Sequence, residues 1–444
     1  MWTYIKKDDV EEYLKQYPQL AEDFESLILL DTNDAFFLPR LFSVNYPSKH
    51  LCVFTGKQES YAPTKIDVKF TGTLRDKQHD LVNTFLKIYK DKGYVNGIAK
   101  SYPGSGKTFM AIYLAAQWKI KTLIIVDNQN LMKQWIKTII DFTNLTVDDI
   151  GIIQQKHLGL EKPIIIAMGQ TLQSYLKRGI QEAFKLMDKA GIGLVVYDEV
   201  HTTSAAPVFS KISLLFRTRN IIGLSASPFH IGTQEILMHN TIGNIVYETK
   251  NYDMKPTYRL LFYKSALDSK KLFVISKMTE YLHRKALYNK LIISSDNYKN
   301  LILEQTRKMR ALGHRIIIIC FTKIQVTTIS EMLEINGLKN TRFYGEEREI
   351  DFTENILVVT YSFCGKGFDF PALSCLILAT PLAGRKSLIQ VIGRILRTDH
   401  NKIAPVVIDL ADMSLPFFTI PEVRAKRKII TEEFNCNIVE ENIP

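Results

Sequence analysis

The sequence predicts an α/β protein: two tandem parallel-sheet domains behind a small N-terminal accessory domain. The first observation is a rhythm of short β-branched runs separated by longer amphipathic stretches, at KTLIIVD (121–127), KPIIIAM (162–168), GLVVYDE (193–199) and NIIGLSAS (220–227). Apolar runs of this length alternating with helical segments suit strands buried on both faces of a parallel sheet, joined by crossover helices. The second is the return of that rhythm at RIIIICF (315–321), NILVVTY (355–361), CLILAT (375–380) and PVVIDL (405–410), which makes a second sheet. The third is its absence from the first 70 residues. These observations divide the chain into 1–70, 71–248 and 249–444, with the two sheets joining near 245–255.

Size and composition agree with this division. The chain has 444 residues, of which 46% are hydrophobic and 23% charged, an ordinary globular composition that excludes wholesale disorder. Five scattered cysteines with no CxxC pair argue against a disulfide framework and a Cys-ligated zinc site. No apolar run approaches the roughly 20 residues needed to span a bilayer. Charged residues occupy the N-terminus where a signal peptide would need an apolar core. The expectation is a soluble, cytoplasmic protein with no membrane partner.

The net charge is +11, a balance that attracts polyanions. It is unevenly spread. Residues 1–70 carry 8 Lys/Arg against 11 Asp/Glu, whereas residues 251–315 carry 14 against 5. The second stretch includes Lys270, Lys271, Lys277, Arg284, Lys285, Lys290, Arg307, Lys308 and Arg310, and a smaller cluster, VRAKRK, lies at 423–428. Each reads either as a nucleic-acid contact or as a solvated helix face.

The chemistry begins at SYPGSGKT (101–108), between the strand-like VNGIAK and the helical FMAIYLAAQW. A glycine-rich turn between strand and helix lets backbone N–H groups close around phosphates, and the helix N-terminus adds partial positive charge. Gly104, Ser105 and Gly106 supply the turn, Lys107 reaches the β- and γ-phosphates of ATP, and Thr108 ligands Mg²⁺. The GxxxxGK[ST] pattern has glycine where this chain has Ser101. The second half is YDEVH (197–201), after four apolar residues. Carboxylates at the C-terminal end of a parallel strand face the ligand crevice. Asp198 is the candidate for the Mg²⁺ shell, and Glu199 for orienting or deprotonating the attacking water.

With these residues in view, positions 70 to 410 resemble superfamily 2 helicases of the DExH type, built from two RecA-like domains. Serine is common at the first loop position in that family. LRDKQ (74–78) is similar to its adenine-recognition motif, which implies nucleotide contacts from Arg75 and Gln78. IVDNQNLMKQW (125–135) and AMGQTLQS (167–174) are similar to strand-contacting motifs, which makes Gln134, Gln170 and Thr171 candidate nucleic-acid contacts; Thr360 joins them from the second sheet. SASP (225–228) resembles the motif coupling hydrolysis to strand movement, implying Ser225, Ala226 and Ser227, together with His201. KGFDFP (366–371) resembles the motif that places Gly367 and Asp369 at the nucleotide. QVIGRILR (390–397) resembles the motif with Gln390, Arg394 and Arg397 in catalytic positions.

That last motif makes independent sense. Charge builds on the γ-phosphoryl oxygens in the transition state, and an arginine finger that stabilises it is worth about 10³–10⁵ in rate. Arg394 and Arg397, three residues apart, are expected on one helical face. The resemblance implies a motor in which ATP sits in a cleft between the domains. Within the family, the likeness is strongest to phage UvsW-type branch-migration DNA helicases. It implies forked, bubble or four-way-junction DNA as partner, with roles in recombination and repair, and the expected motor is monomeric. An RNA helicase, the motor of a restriction or repair complex, and a non-catalytic scaffold are the competing readings. Aromatic residues in DAFFLPRLF (34–42) suggest either core or a junction wedge, and Arg40 and Lys49 are the basic residues through which the acidic N-terminal domain would engage DNA.

Overall fold

The computed structural model describes residues 2–54, 63–154, 158–200, 211–226, 233–249, 252–344, 354–364, 370–382 and 384–444. The chain separates into two compact units, Met1–Thr249 and Lys250–Pro444.

The first unit opens with a small antiparallel sheet of β1 (Trp2–Lys6), β2 (Leu30–Asp31), β3 (Ala35–Leu38) and β4 (Leu51–Phe54), in the order β2-β3-β1-β4. Ile5, Tyr13, Leu20, Leu27, Leu38 and Phe42 bury its inner face, and Leu214 and Leu237 from the rest of the unit complete the same core. Asn45 Nδ2 donates to Asn240 Oδ1 at 3.0 Å and Leu41 N–H to the Asn240 carbonyl at 2.8 Å, fastening the sheet down. Phe42 is fully buried and Phe36 half-buried in this core, whereas Phe37, half-buried, lies against Tyr4. Phe36 and Phe42 are therefore core residues. Arg40 is also buried, which lowers its pKa to about 10 and leaves it charged but shielded from solvent, while Lys49 stays exposed.

The large sheet of this unit holds β5 (Asn96–Ser101), β6 (Thr122–Val126), β7 (Ile150–Ile153), β8 (Ile164–Met168), β9 (Leu194–Asp198), β10 (Ile221–Ser225) and β11 (Ile245–Thr249). All pair in parallel, in the order β11-β5-β10-β9-β6-β8-β7. Alternate side chains of each apolar run enter different cores. Ile124, Val126, Ile166, Leu194 and Val196 pack on one face, and Leu123, Ile125, Ile165, Val195 and Tyr197 on the other. This two-sided burial explains why the runs are continuous and not alternating. Helices α1 (Asp76–Lys92), α2 (Lys107–Trp118) and α3 (Gln129–Phe142) cover the first face, and α4 (Gly169–Arg178) and α5 (Thr233–Thr241) the second.

The second unit repeats the plan with β12 (Thr257–Tyr263), β13 (Ile316–Cys320), β14 (Thr341–Phe343), β15 (Ile356–Thr360), β16 (Cys375–Leu378), β17 (Val406–Asp412) and β18 (Ile438–Asn442), parallel in the order β14-β15-β13-β16-β17-β12-β18. Helices α6 (Ser269–Lys277) and α7 (Tyr281–Leu291) follow β12, α8 (Arg385–Ile395) follows β16, and α9 (Pro416–Phe434) follows β17.

Within α9 the VRAKRK cluster divides by helix face. Lys426 turns inward, 4% exposed, and donates to both oxygens of Asp409 at 2.8 and 3.0 Å. Tyr258 Oη donates to the same carboxylate at 2.7 Å. Burial alone would lower the Lys426 pKa, but Asp409 and Glu422 hold it above its ordinary value. The other cations of the cluster are exposed: Arg427 pairs with Glu440, Lys428 lies 4.0 Å from Glu432, and Arg424 faces solvent. Breaking a buried pair from one side leaves an uncompensated charge. Lys426→Met is expected to cost about 3–5 kcal/mol of unfolding free energy, read by urea denaturation followed by circular dichroism. Adding Asp409→Asn, which keeps an acceptor for Tyr258, is expected to restore most of the loss.

Candidate nucleotide site and strand-facing surfaces

The phosphate loop leaves β5 at Ser101, which pairs in register with Thr249 and is 1% exposed. Ser101 is still in strand conformation, so glycine's freedom is not needed there. The turn itself needs it. Gly104 and Gly106 have φ of +87° and +86°, and a Cβ on Gly106 would lie 2.3 Å from Gln78 Nε2. Gly106 then caps α2, whose first residue is Lys107. Arg75 and Gln78, at the start of α1, clamp the turn from outside. Arg75 Nη2 and Gln78 Nε2 each donate to the Ser105 carbonyl at 3.0 Å, and Gln78 Oε1 accepts the Arg75 N–H at 2.9 Å. In this structure Gln78 is buried and supports the loop.

Lys107 Nζ lies along the turn, donating to the carbonyls of Ser101 at 2.9 Å and Tyr102 at 3.3 Å. The Ser101 and Ser105 hydroxyls are buried without a hydrogen-bond partner in the protein. A left-handed glycine turn, a helix N-terminus, a lysine amine and spare hydroxyls together fit a nucleotide's phosphates.

Asp198 ends β9, two strands from β5 in the sheet, and β10 with fully buried Ser225 lies between them. It points into the same face as α2 and α3, since Leu194, Val196 and Asp198 alternate with Val195 and Tyr197 along the strand. It is 5% exposed. Oδ2 accepts the indole N–H of Trp135 at 2.7 Å, and Oδ1 accepts the Glu199 N–H at 2.9 Å. Burial, aided by neighbouring Glu199, pushes its pKa up to about 6, against the opposing pull of Trp135 and Lys107. Glu199 has φ of +47°, a left-handed conformation that non-glycine residues adopt at a cost of about 1–3 kcal/mol and that concentrates at functional turns. Half-buried Thr108 starts α2 beside Lys107. Among the described residues no cluster of three or more His, Cys, Asp or Glu could cage a metal. This set fits Mg²⁺, which takes one or two protein ligands, waters and substrate phosphates. Trp135 was not among the residues expected from sequence. Its only signal there is a large aromatic within an amphipathic helix, and its partner is 63 residues away.

The strand candidates divide. Gln134 is half-buried on α3; Gln170 is exposed and Thr171 half-buried in the first turn of α4. Thr360 is 5% exposed at the end of β15, with its hydroxyl 3.1 Å from that of exposed Ser362. His201, Ser227, Gly367 and Asp369 lie outside the described residues.

In the second unit Gln390 and Arg394 share one face of α8, four residues apart. Arg397 does not. The helix ends at Ile395, where Leu396 N–H tightens the last turn onto the Gly393 carbonyl, and Arg397 sits in the turn beyond it. Lys402 Nζ holds that turn through the Arg397 carbonyl at 2.5 Å and the Pro371 carbonyl at 2.6 Å. On α6 and α7, Lys285 is withdrawn from the basic stretch by burial and Lys271 is half-buried with its amine on Ser294 Oγ, while Lys270 and Lys277 remain exposed. Phe273, 61% exposed, lies 5.1 Å under Lys277, and Phe417 lies 5.3 Å from the guanidinium of Arg284.

Residues 71–230 match the family model described as type III restriction enzyme, res subunit. A protein named putative ATP-dependent RNA helicase L396, from Acanthamoeba polyphaga mimivirus, is 27% identical over 370 residues, 80% of this chain and 67% of that one. Putative DNA 3'-5' helicase Rad25 from Haloarcula marismortui is 34% identical over 170 residues, 38% of this chain and 25% of that one. These matches make the chain similar in sequence to helicases of superfamily 2. Its fold is shared by the structure of S. cerevisiae Dbp5 bound to RNA and ADP BeF3, with a TM-score of 0.56 at 15% identity over 81% of this chain and 89% of that one. The two parallel sheets are thus the tandem RecA-like arrangement. Likeness to the crystal structure of T4 UvsW is weak, with a TM-score of 0.34 at 17% identity over 85% of this chain and 79% of that one, and supports no narrower assignment.

Gly106→Ala combines left-handed strain of about 1–3 kcal/mol with the Gln78 clash. It is expected to weaken binding of a fluorescent ATP analogue by roughly tenfold or more. Adding Gln78→Ala should recover only the part due to the clash.

Proposed function

We propose that this chain is an ATP-driven motor that unwinds or remodels branched DNA, with forks, bubbles and four-way junctions as its substrates. The observation that carries the ATPase part is the clamped phosphate turn at 104–107 lying at the same C-terminal edge of one parallel sheet as Asp198 and Glu199. Gly104, Ser105, Gly106 and Lys107 bind the phosphates, and Arg75 and Gln78 hold the turn that does so. Thr108 and Asp198 would hold Mg²⁺, which would supply positive charge to offset that of the phosphates. Glu199 orients the attacking water and accepts its proton. Arg394 and Arg397 are the candidate arginine fingers, with Gln390 beside Arg394 on its helix.

The assignment to DNA rests on the motif variants DEVH, SASP and LRxxQ. Strand contacts come from Gln134, Gln170 and Thr171, and from the exposed lysines and Phe273 of α6. Such contacts join phosphate charge to base stacking and read little sequence. RNA is a second reading, because the mimivirus relative carries the name of an RNA helicase. An unwinding panel of blunt, tailed, forked, bubble and four-way substrates, with matched DNA and RNA forks, separates the two. Preference for branched DNA supports the proposal, and faster unwinding of RNA forks overturns it.

Glu199→Gln is expected to leave ATP binding intact and lower turnover by roughly 10²–10⁴-fold, as removal of a general base does. Retained turnover removes Glu199 from its role. Phe273→Ala is expected to weaken single-strand binding by about 1–3 kcal/mol in fluorescence anisotropy, independently of base sequence. Lys277→Ala should flatten the salt dependence of the same titration.

A further inference from the structure

The hydrogen bond from Trp135 to Asp198 reaches beyond packing. Trp135 is 1% exposed on α3, in line with Met132 and Ile139, which are also buried. Any buried indole N–H needs an acceptor. Here the acceptor is the carboxylate read as the metal holder, at 2.7 Å. A carboxylate offers about four lone-pair directions. With Oδ2 fixed by the indole and Oδ1 by the Glu199 N–H at 2.9 Å, the plane of the group is set, and with it the direction in which its remaining lone pairs point. One donor is the backbone of the strained turn that carries Glu199, and the other comes from a separate helix. Asn128 Oδ1 accepts the Leu131 N–H at 3.1 Å, capping that helix at its start and fixing where Trp135 stands.

We propose that Trp135 is a positioning residue of the nucleotide site, orienting Asp198 toward the Mg²⁺ shell. The inference rests on the phosphate-site reading above and adds to it a residue that never touches nucleotide. It explains why an indole serves here: the ring fills the core between α3 and the sheet while its single N–H reaches the carboxylate. Phenylalanine can do only the first. Partners that orient metal ligands in this way alter metal affinity or activity by about 10–100-fold when removed.

The test uses the full chain with fluorescent ADP and Mg²⁺. Trp135→Phe is expected to bind the metal-free nucleotide within about twofold of wild type and to raise the Mg²⁺ concentration for half-saturation by about 10–100-fold. A purely structural role would lower the melting temperature and leave that concentration unchanged. A folded Trp135→Phe protein with wild-type Mg²⁺ half-saturation overturns the proposal. If the variant does not fold, ¹⁵N-indole resonances of the wild-type protein decide. There are three tryptophans, and Trp2→Phe and Trp118→Phe identify the Trp135 signal by elimination. That signal is expected to shift when Mg²⁺ is added to the ADP complex, and its constancy overturns the proposal. Lys107→Ala separates the two levels: if it retains nucleotide binding, the phosphate-site reading fails, whatever Trp135 does.

Discussion

The nucleotide site depends on one carbonyl. Ser105 O receives a guanidinium N–H from Arg75 and an amide N–H from Gln78, and these two bonds hold a turn whose glycines would otherwise be the least restrained residues of the unit. With Ser105 fixed, Gly106 has one way to enter α2, and Lys107 and Thr108 follow at set positions on the first turn of the helix. The clamp comes from the first turn of a different helix, closed on itself by the Gln78 Oε1 contact to the Arg75 backbone. Side-chain chemistry about 30 residues upstream thereby holds a glycine turn in place.

The central strands were legible because burial on both faces makes them mostly apolar, leaving runs such as IIIIC and ILVVT, with polar residues such as Asp198 and Ser225 mainly at their ends. The edges were not. β11 is mostly half-buried, β14 has three residues, and β18 reads IVEEN with two consecutive glutamates, so none matches the long buried runs of the central strands. The phosphate turn and Asp198 were legible because loop geometry and strand ends restrict residue type locally. Trp135 was not, because its role exists only once β9 and α3 are adjacent. The end of α8 before Arg397 was hidden for a related reason: QVIGRILR has no proline or C-terminal glycine to announce a stop.

Charge was the least legible property. Lys285, Lys426 and Arg40 look in sequence like surface cations, and each is buried, whereas Lys270 and Lys277 are exposed. A run of lysines fixes a total but not a direction. Direction is set by helix phase against the core: Phe418, Glu422 and Lys426 repeat at four-residue spacing on the inner face of α9, while Phe417, Ile420 and Arg424 face out.

The antiparallel sheet at the chain's start has no complete core of its own, since Leu214 and Leu237 close it from the other side. Deleting residues 2–54 would therefore bare an oily scar on the remaining protein and strand the polar groups of Asn240. A shortened form made to ask what that sheet recognises would first report on clumping and lost solubility. Single exchanges at its outward-facing residues ask the same question and leave the seam closed.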